Sequence, residues 1–134
     1  MNIVVIDGQG GKMGKQLIER IRAEGIEADI TAVGTNSTAT ATMIKGGADR
    51  GATGENAVRV NSARADVIIG PLGIVVADSM LGEITAAMAC AVGSSSAKKI
   101  LLPVNQCNNI VVGVPELSMS ALLKSAVDHL REIE

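Results

Sequence analysis

The chain opens on a continuous apolar run, Asn2–Asp7 (NIVVID), which is short, β-branched and closed by an acid. Such a run predicts a strand buried on both faces, as in a parallel sheet. From residue 12 to residue 24 the period changes. Met13, Leu17 and Ile21 recur at i, i+4 and i+8 with charges on the other face, which predicts an amphipathic helix that Gly25 ends. Residues 28–34 (ADITAVG) predict a second strand, and residues 38–46 (TATATMIKG) a short helix of small side chains. Residues 46–56 (GGADRGATGEN) read as a glycine-rich surface loop, with a lid over a ligand as the alternative.

Further on, residues 57–60 predict a brief strand and residues 66–70 (DVIIG) a stronger one, stopped by Pro71. Residues 83–92 predict an Ala-rich helix, with Asp78 and Ser79 as its cap. Residues 100–104 (ILLPV) and 110–114 (IVVGV) predict two more strands. Only NQCNN separates them, too short for a parallel crossover of about a dozen residues. The second is therefore expected antiparallel, at a sheet edge. Residues 118–132 predict a closing amphipathic helix, with Leu122, Leu123, Ala126, Val127 and Leu130 on one face. Strand and helix alternate from the N-terminus. The expected fold is α/β: a three-layer Rossmann-like sandwich, its sheet mostly parallel with an antiparallel edge strand near the C-terminus.

The length of 134 residues suits one domain, and no repeat or linker divides it. The chain has no Phe, Tyr or Trp, so its core must be built from Val, Ile, Leu, Met and Ala. A net charge of −2 without a basic stripe, and no ring on which to stack a base, argue against nucleic acid as a partner. No apolar run approaches the roughly 20 residues that span a bilayer, so no membrane partner is expected. Met1 leads directly into the first strand without a basic leader, which reads as cytoplasmic. In that setting Cys90 and Cys107 are expected to be reduced thiols, Cys90 in the core and Cys107 in a turn.

The candidate chemistry lies between the first strand and the first helix. Gly8, Gly10, Gly11 and Gly14 fit both G-x-G-x-x-x-G and G-x-x-G-x-x-G, interleaved with Gln9, Lys12 and Met13. Free N–H groups at a helix N-terminus carry positive partial charge, and glycines let a phosphate approach them. Lys12 adds a cation. A tight turn that binds nothing is the competing reading. Asp7 either orients a ligand hydroxyl or accepts bonds from the loop's own N–H groups. At the end of the second strand, where dinucleotide sites place an acid, stand Thr35, Asn36, Ser37 and Thr38. They are either ligand contacts or caps for the next helix. Gly70, Pro71 and Asn105 lie at the carboxyl ends of later strands, where open α/β sheets bind ligands. Cys107 has no adjacent base, and His129, the only histidine, reads as a surface or interface residue.

The glycine loop, with Gly8, Gly11, Met13, Gly14 and Lys15, resembles the nucleotide-binding start of dihydrodipicolinate reductases. The resemblance covers roughly the first quarter of the chain and implies NADH or NADPH on that loop. The paired histidines and lysine of that family's substrate domain have no counterpart. Over nearly its whole length, on GTNSTATATMIKGGADRGATGENA, DVIIGPLGIVVADSMLGEIT and KILLPVNQCNNIVVGV, the chain is similar to small bacterial proteins of Firmicutes classed as a domain of unknown function. That resemblance implies a stand-alone domain and no established activity.

Three functional readings follow. The first is a domain that binds a nucleotide or another small phosphorylated ligand on the 8–14 loop. The second is a minimal NAD(P)-dependent oxidoreductase whose site is completed by oligomerisation. The third is a structural or partner-binding domain in which the glycines are only turn chemistry. A homodimer is expected, with Met119, Leu123 and Leu130 as candidate interface residues.

Overall fold

The computed structural model describes residues 1–104 and 108–133. Five strands, β1 (Asn2–Asp7), β2 (Asp29–Gly34), β3 (Arg50–Thr53), β4 (Val67–Pro71) and β5 (Lys98–Leu102), form one sheet in the order β3-β2-β1-β4-β5. Every pairing within it is parallel. The helices are α1 (Lys12–Ala23), α2 (Ser37–Lys45), α3 (Glu55–Arg64), α4 (Ala86–Ser94) and α5 (Met119–Ile133), with a 3-10 turn at Leu72–Val75. The fold is the expected Rossmann-like α/β sandwich.

The continuous apolar character of β1 follows from its place at the centre. Ile3 and Val5 face one core with Leu17, Ile18 and Ile21 of α1, Met43 of α2, and Leu123, Val127 and Leu130 of α5. Val4 and Ile6 face the other, with Val58 of α3, Met88 and Val92 of α4, and Ile74 and Ile84 between them. Each fully buried aliphatic contributes about 1.5–3 kcal/mol of transfer free energy. Two aliphatic layers thus replace the missing aromatics. Leu123 and Leu130 are consumed by the chain's own core, so that face of α5 is not the subunit interface the sequence suggested.

Several expectations are corrected. Residues 46–56 are not all loop: Arg50–Thr53 is an edge strand in register with Thr31–Gly34. It carries no apolar run. Its place is set by Arg50, whose guanidinium bonds Asp29 at 2.9 Å and Thr31 at 3.2 Å, and by Gly51, which lets Ile44 and Thr40 pack against it. Residues 57–60 are helical rather than extended. They lie inside α3, where Val58 and Ser62 are buried four residues apart and Glu55 sits in the first turn, favourable to the helix dipole. The helix expected at residue 83 starts at Ala86 instead. Its cap is Thr85, whose hydroxyl accepts from the Met88 amide at 3.1 Å, not Asp78 or Ser79. The preceding residues Asp78, Met80, Leu81 and Gly82 all take positive φ, which no helix admits.

The antiparallel edge strand is absent among the described residues. Residues 110–114 form no strand and close a local turn, the Val114 amide donating to the Val111 carbonyl at 3.3 Å. High β-propensity does not make a strand without a neighbour to pair with and bury against. Cys90 is exposed rather than in the core, its sulfur 3.6 Å from the Ser94 hydroxyl. Cys107, with Asn105 and Gln106, lies outside the described residues. Among those described, no helix is long and apolar enough to cross a membrane.

Candidate functional site

β1 has β2 on one side and β4 on the other, so the sheet order reverses direction beside it. Chain leaving β1 and chain leaving β4 therefore diverge to opposite faces, and a crevice opens beyond their carboxyl ends. The structure has a cavity of about 90 Å³ there, lined by Asp7, Gly8, Gln9, Met13, Pro71, Gly73, Met80, Val104 and Met119. A more open groove of about 380 Å³ shares Asp7, Gly8, Gln9, Met13 and Met119 with it and continues over Gly10, Gly11, Lys12 and Gln16.

The glycine loop is held by its own chain. Gly11 caps α1 in a left-handed conformation, φ 75°, and its amide donates to the Gly8 carbonyl at 2.9 Å. A Cβ there would stand 2.6 Å from the Ala39 carbonyl oxygen, so glycine is required both for the turn and for the close approach of α2. Asp7 is 6% exposed, and its two carboxylate oxygens accept from the Gly8 and Gly14 amides, each at 2.8 Å. Burial pushes the Asp7 carboxyl above its ordinary range. The two amide bonds oppose that shift, and the nearby Glu83 charge adds to it.

Glu83, which flanks SMLG with Asp78, had no site role assigned from the sequence, yet it ties the site together. One of its oxygens accepts from the Gln9 amide at 2.8 Å, the Thr35 hydroxyl at 2.6 Å and the Asn36 side-chain amide at 2.9 Å. Burial would raise its pKa, but these three donors outweigh burial and hold it below the ordinary range. The carboxylate missing from the end of β2 in sequence is thus supplied from 48 residues further along. Asn36 serves two roles: its carbonyl oxygen caps α2 by accepting from the Ala39 amide at 2.8 Å, and its amide group also donates to the Gln9 carbonyl at 2.9 Å. Ser37 and Thr38 are exposed in the first turn of α2.

Of the remaining sequence candidates, Gly8 is covered by Met80, Thr35 and Glu83. Gly14 packs on Met43 and Asp7, and Gly70 backs onto the Ile6 carbonyl. Pro71 lines the cavity, and Lys12 is exposed along the open groove beside it. Asn105 lies outside the described residues. His129 is exposed on α5, remote from the crevice, its ring nitrogen 2.8 Å from the Ser125 carbonyl. Among the described residues, no cluster of three or more His, Cys, Asp or Glu could hold a metal. Asp7 and Glu83 leave three loop amides without an acceptor among the described residues: Gly10, Lys12 and Met13.

One family model, described as a domain of unknown function, DUF3842, matches residues 2–134. The chain belongs to the DUF3842 family. No curated protein matches it. Among solved structures, a dodecameric FMN-dependent UbiX-like decarboxylase from Escherichia coli O157:H7 is similar, with 19% identity and a TM-score of 0.48 over 99% of this chain and 76% of that one.

The pKa directions make Glu83 testable. A carboxyl held low in the fold stabilises it above the unfolded value of 4.5, and that contribution is lost as pH falls through the lower folded value. Glu83→Gln keeps the shape and removes the charge. It is expected to cost about 1 kcal/mol at neutral pH, discounted for a half-exposed group. In chemical denaturation across pH, the gap from wild type should shrink as pH drops below that value. A gap of constant size would refute the charged contact.

Proposed function

We propose that this DUF3842 domain binds a small phosphorylated ligand, a mononucleotide or a compound of similar size, in the crevice beyond β1 and β4. The observation that carries the reading is the set of uncommitted amides at Gly10, Lys12 and Met13. They lie at the N-terminus of a 12-residue helix and line the groove beside Lys12. Asp7 and Glu83 take the Gly8, Gln9 and Gly14 amides, so the phosphate belongs on the Gly10, Lys12 and Met13 amides that remain.

The rest of the ligand runs toward Met13, Met80, Met119 and Val104. Methionine sulfurs are polarizable and pack well on a flat ring, which suits a nucleobase in a chain without aromatics. The second half of a dinucleotide would run past the end of β2. One Glu83 oxygen there is already taken by Gln9, Thr35 and Asn36, which leaves a ribose only the other. This favours a mononucleotide over NAD(P).

The test is a thermal-shift panel with AMP, GMP, ATP, NADH, NADPH, a sugar phosphate and inorganic phosphate, with Gly10→Asp as control. Gly10 has nothing within 4 Å of a built Cβ and is exposed, so the variant should fold while placing a carboxylate among the free amides. A ligand at 100 times its dissociation constant should stabilise wild type by about 2.7 kcal/mol, and Gly10→Asp should abolish the shift. A flat panel, or a shift that survives Gly10→Asp, would overturn the reading.

A further inference from the structure

β5 is the last strand of the sheet, and among the described residues its outer edge carries no neighbouring strand. Alongside that edge runs a groove of about 250 Å³, walled by Ile100, Leu102, Leu122 and Ala126. An open edge of this kind is a template for another strand. The same chain holds a β-forming run at residues 110–114, IVVGV, that pairs with no strand among the described residues; Ile110 and Val112 are 89% and 93% exposed, and to pair, the run gives up only its Val111–Val114 turn and the left-handed φ of Gly113. Exposed β-branched side chains in succession, on a chain that also leaves a sheet edge open, are two halves of one contact.

We propose that residues 110–114 of one copy add as an antiparallel strand to the outer edge of β5 in a second copy. The exchange is reciprocal, so it closes as a two-fold dimer. The run matches β5 in length, five residues. In the register that sets Ile110 opposite Leu102, Val112 opposite Ile100 and Val114 opposite Lys98, strand alternation turns the two most exposed side chains into the groove beside α5. Gly113 and the less exposed Val111, at 37%, fall on the other face. The charges also agree. Glu116 becomes the diagonal neighbour of Lys98, and both are exposed. The reverse, parallel register would carry Glu116 away from Lys98. Val104 lines both the ligand crevice and the hollow under the run, so the partner strand would abut the crevice. The dimer stands or falls independently of the ligand.

Sedimentation equilibrium on the full chain provides the test. Wild type is expected to be a dimer. Ile110→Asp with Val112→Asp, two surface changes, should weaken it by at least about tenfold while the circular dichroism stays that of a folded α/β domain. Glu116→Lys should weaken it too, and adding Lys98→Glu should restore it. With Cys90→Ser and Cys107→Ser, the pair Ile100→Cys and Val112→Cys should give a disulfide-linked dimer on oxidation. A monomeric wild type, a dimer indifferent to the double substitution, a charge swap without rescue, or a link formed within one chain would each overturn the proposal.

Discussion

Gly11→Ala is expected to lower the free energy of unfolding by about 3 kcal/mol, combining a left-handed residue's cost of about 1–2 kcal/mol with overpacking of about 1–3 kcal/mol. The first contribution follows from φ 75° at the cap of α1. The second follows from what a Cβ would meet: the carbonyl oxygen, Cα and carbonyl carbon of Ala39, at 2.6, 2.7 and 3.1 Å. These are backbone atoms of α2, anchored by the Asn36 cap, and they can yield only if the whole helix moves. For a chain of this size the melting temperature should fall by roughly 10 °C. Gly10→Ala, one residue away, has a free Cβ position and should stay within about 0.5 kcal/mol of wild type. A small effect at Gly11 in calorimetry would mean that α1 and α2 are further apart than they stand here. It also follows that Gly11→Asp is a packing lesion and cannot serve as a probe of ligand binding.

The second large effect is expected at Gly70→Ala, about 2–3 kcal/mol, from overpacking of a well-packed strand less the gain from a stiffer unfolded chain. Here a Cβ would run into the Ile6 carbonyl, with Ile74 Cδ1 at 3.0 Å behind it. Pairing of β1 with β4 is recorded up to Val5 and Ile69, so Gly70 sits where the two strands begin to part. A methyl group there pushes apart the floor of the crevice, which Asp7 and Pro71 line. The fair comparison is Gly93→Ala in α4, where nothing lies within 4 Å and the better helix propensity should stabilise by about 0.5–1 kcal/mol. Denaturant midpoints of the two variants should move in opposite directions. A shift in the same direction would show that Gly70 is a matter of strand propensity and not of contact.

The central strands and the two amphipathic helices were legible because each is a periodic or continuous apolar pattern whose burial decides its structure. Asn2–Asp7 and Lys12–Ala23 are found almost where the pattern puts them. β3 and α3 were not legible. Arg50–Thr53 is a polar edge strand placed by Arg50, Asp49 and the close packing on Gly51. Residues 57–60 look extended by composition, yet they lie in a helix with only Val58 and Ser62 buried. Residues 110–114 show the converse, a strand pattern without a partner strand among the described residues.

The same division runs through the candidate site. From residue types alone, the order strand, glycine turn and helix placed open amides beside Lys12, because glycine requirements and helix termini are local physics. That Asp7 would bind its own loop was one of two readings, and its carboxylate does accept from the Gly8 and Gly14 amides. Glu83 could come only from the fold. Its contacts with Gln9, Thr35 and Asn36 span 47 to 74 residues, and they require the turns through left-handed Asp78, Met80, Leu81 and Gly82 to bring it over the loop. Local sequence determined the central strands, the amphipathic helices and the glycine turn, since those energies lie within a few neighbouring residues. Which polar group met which was decided by the tertiary structure, because hydrogen bonds between distant segments have no signature until packing has set the distance.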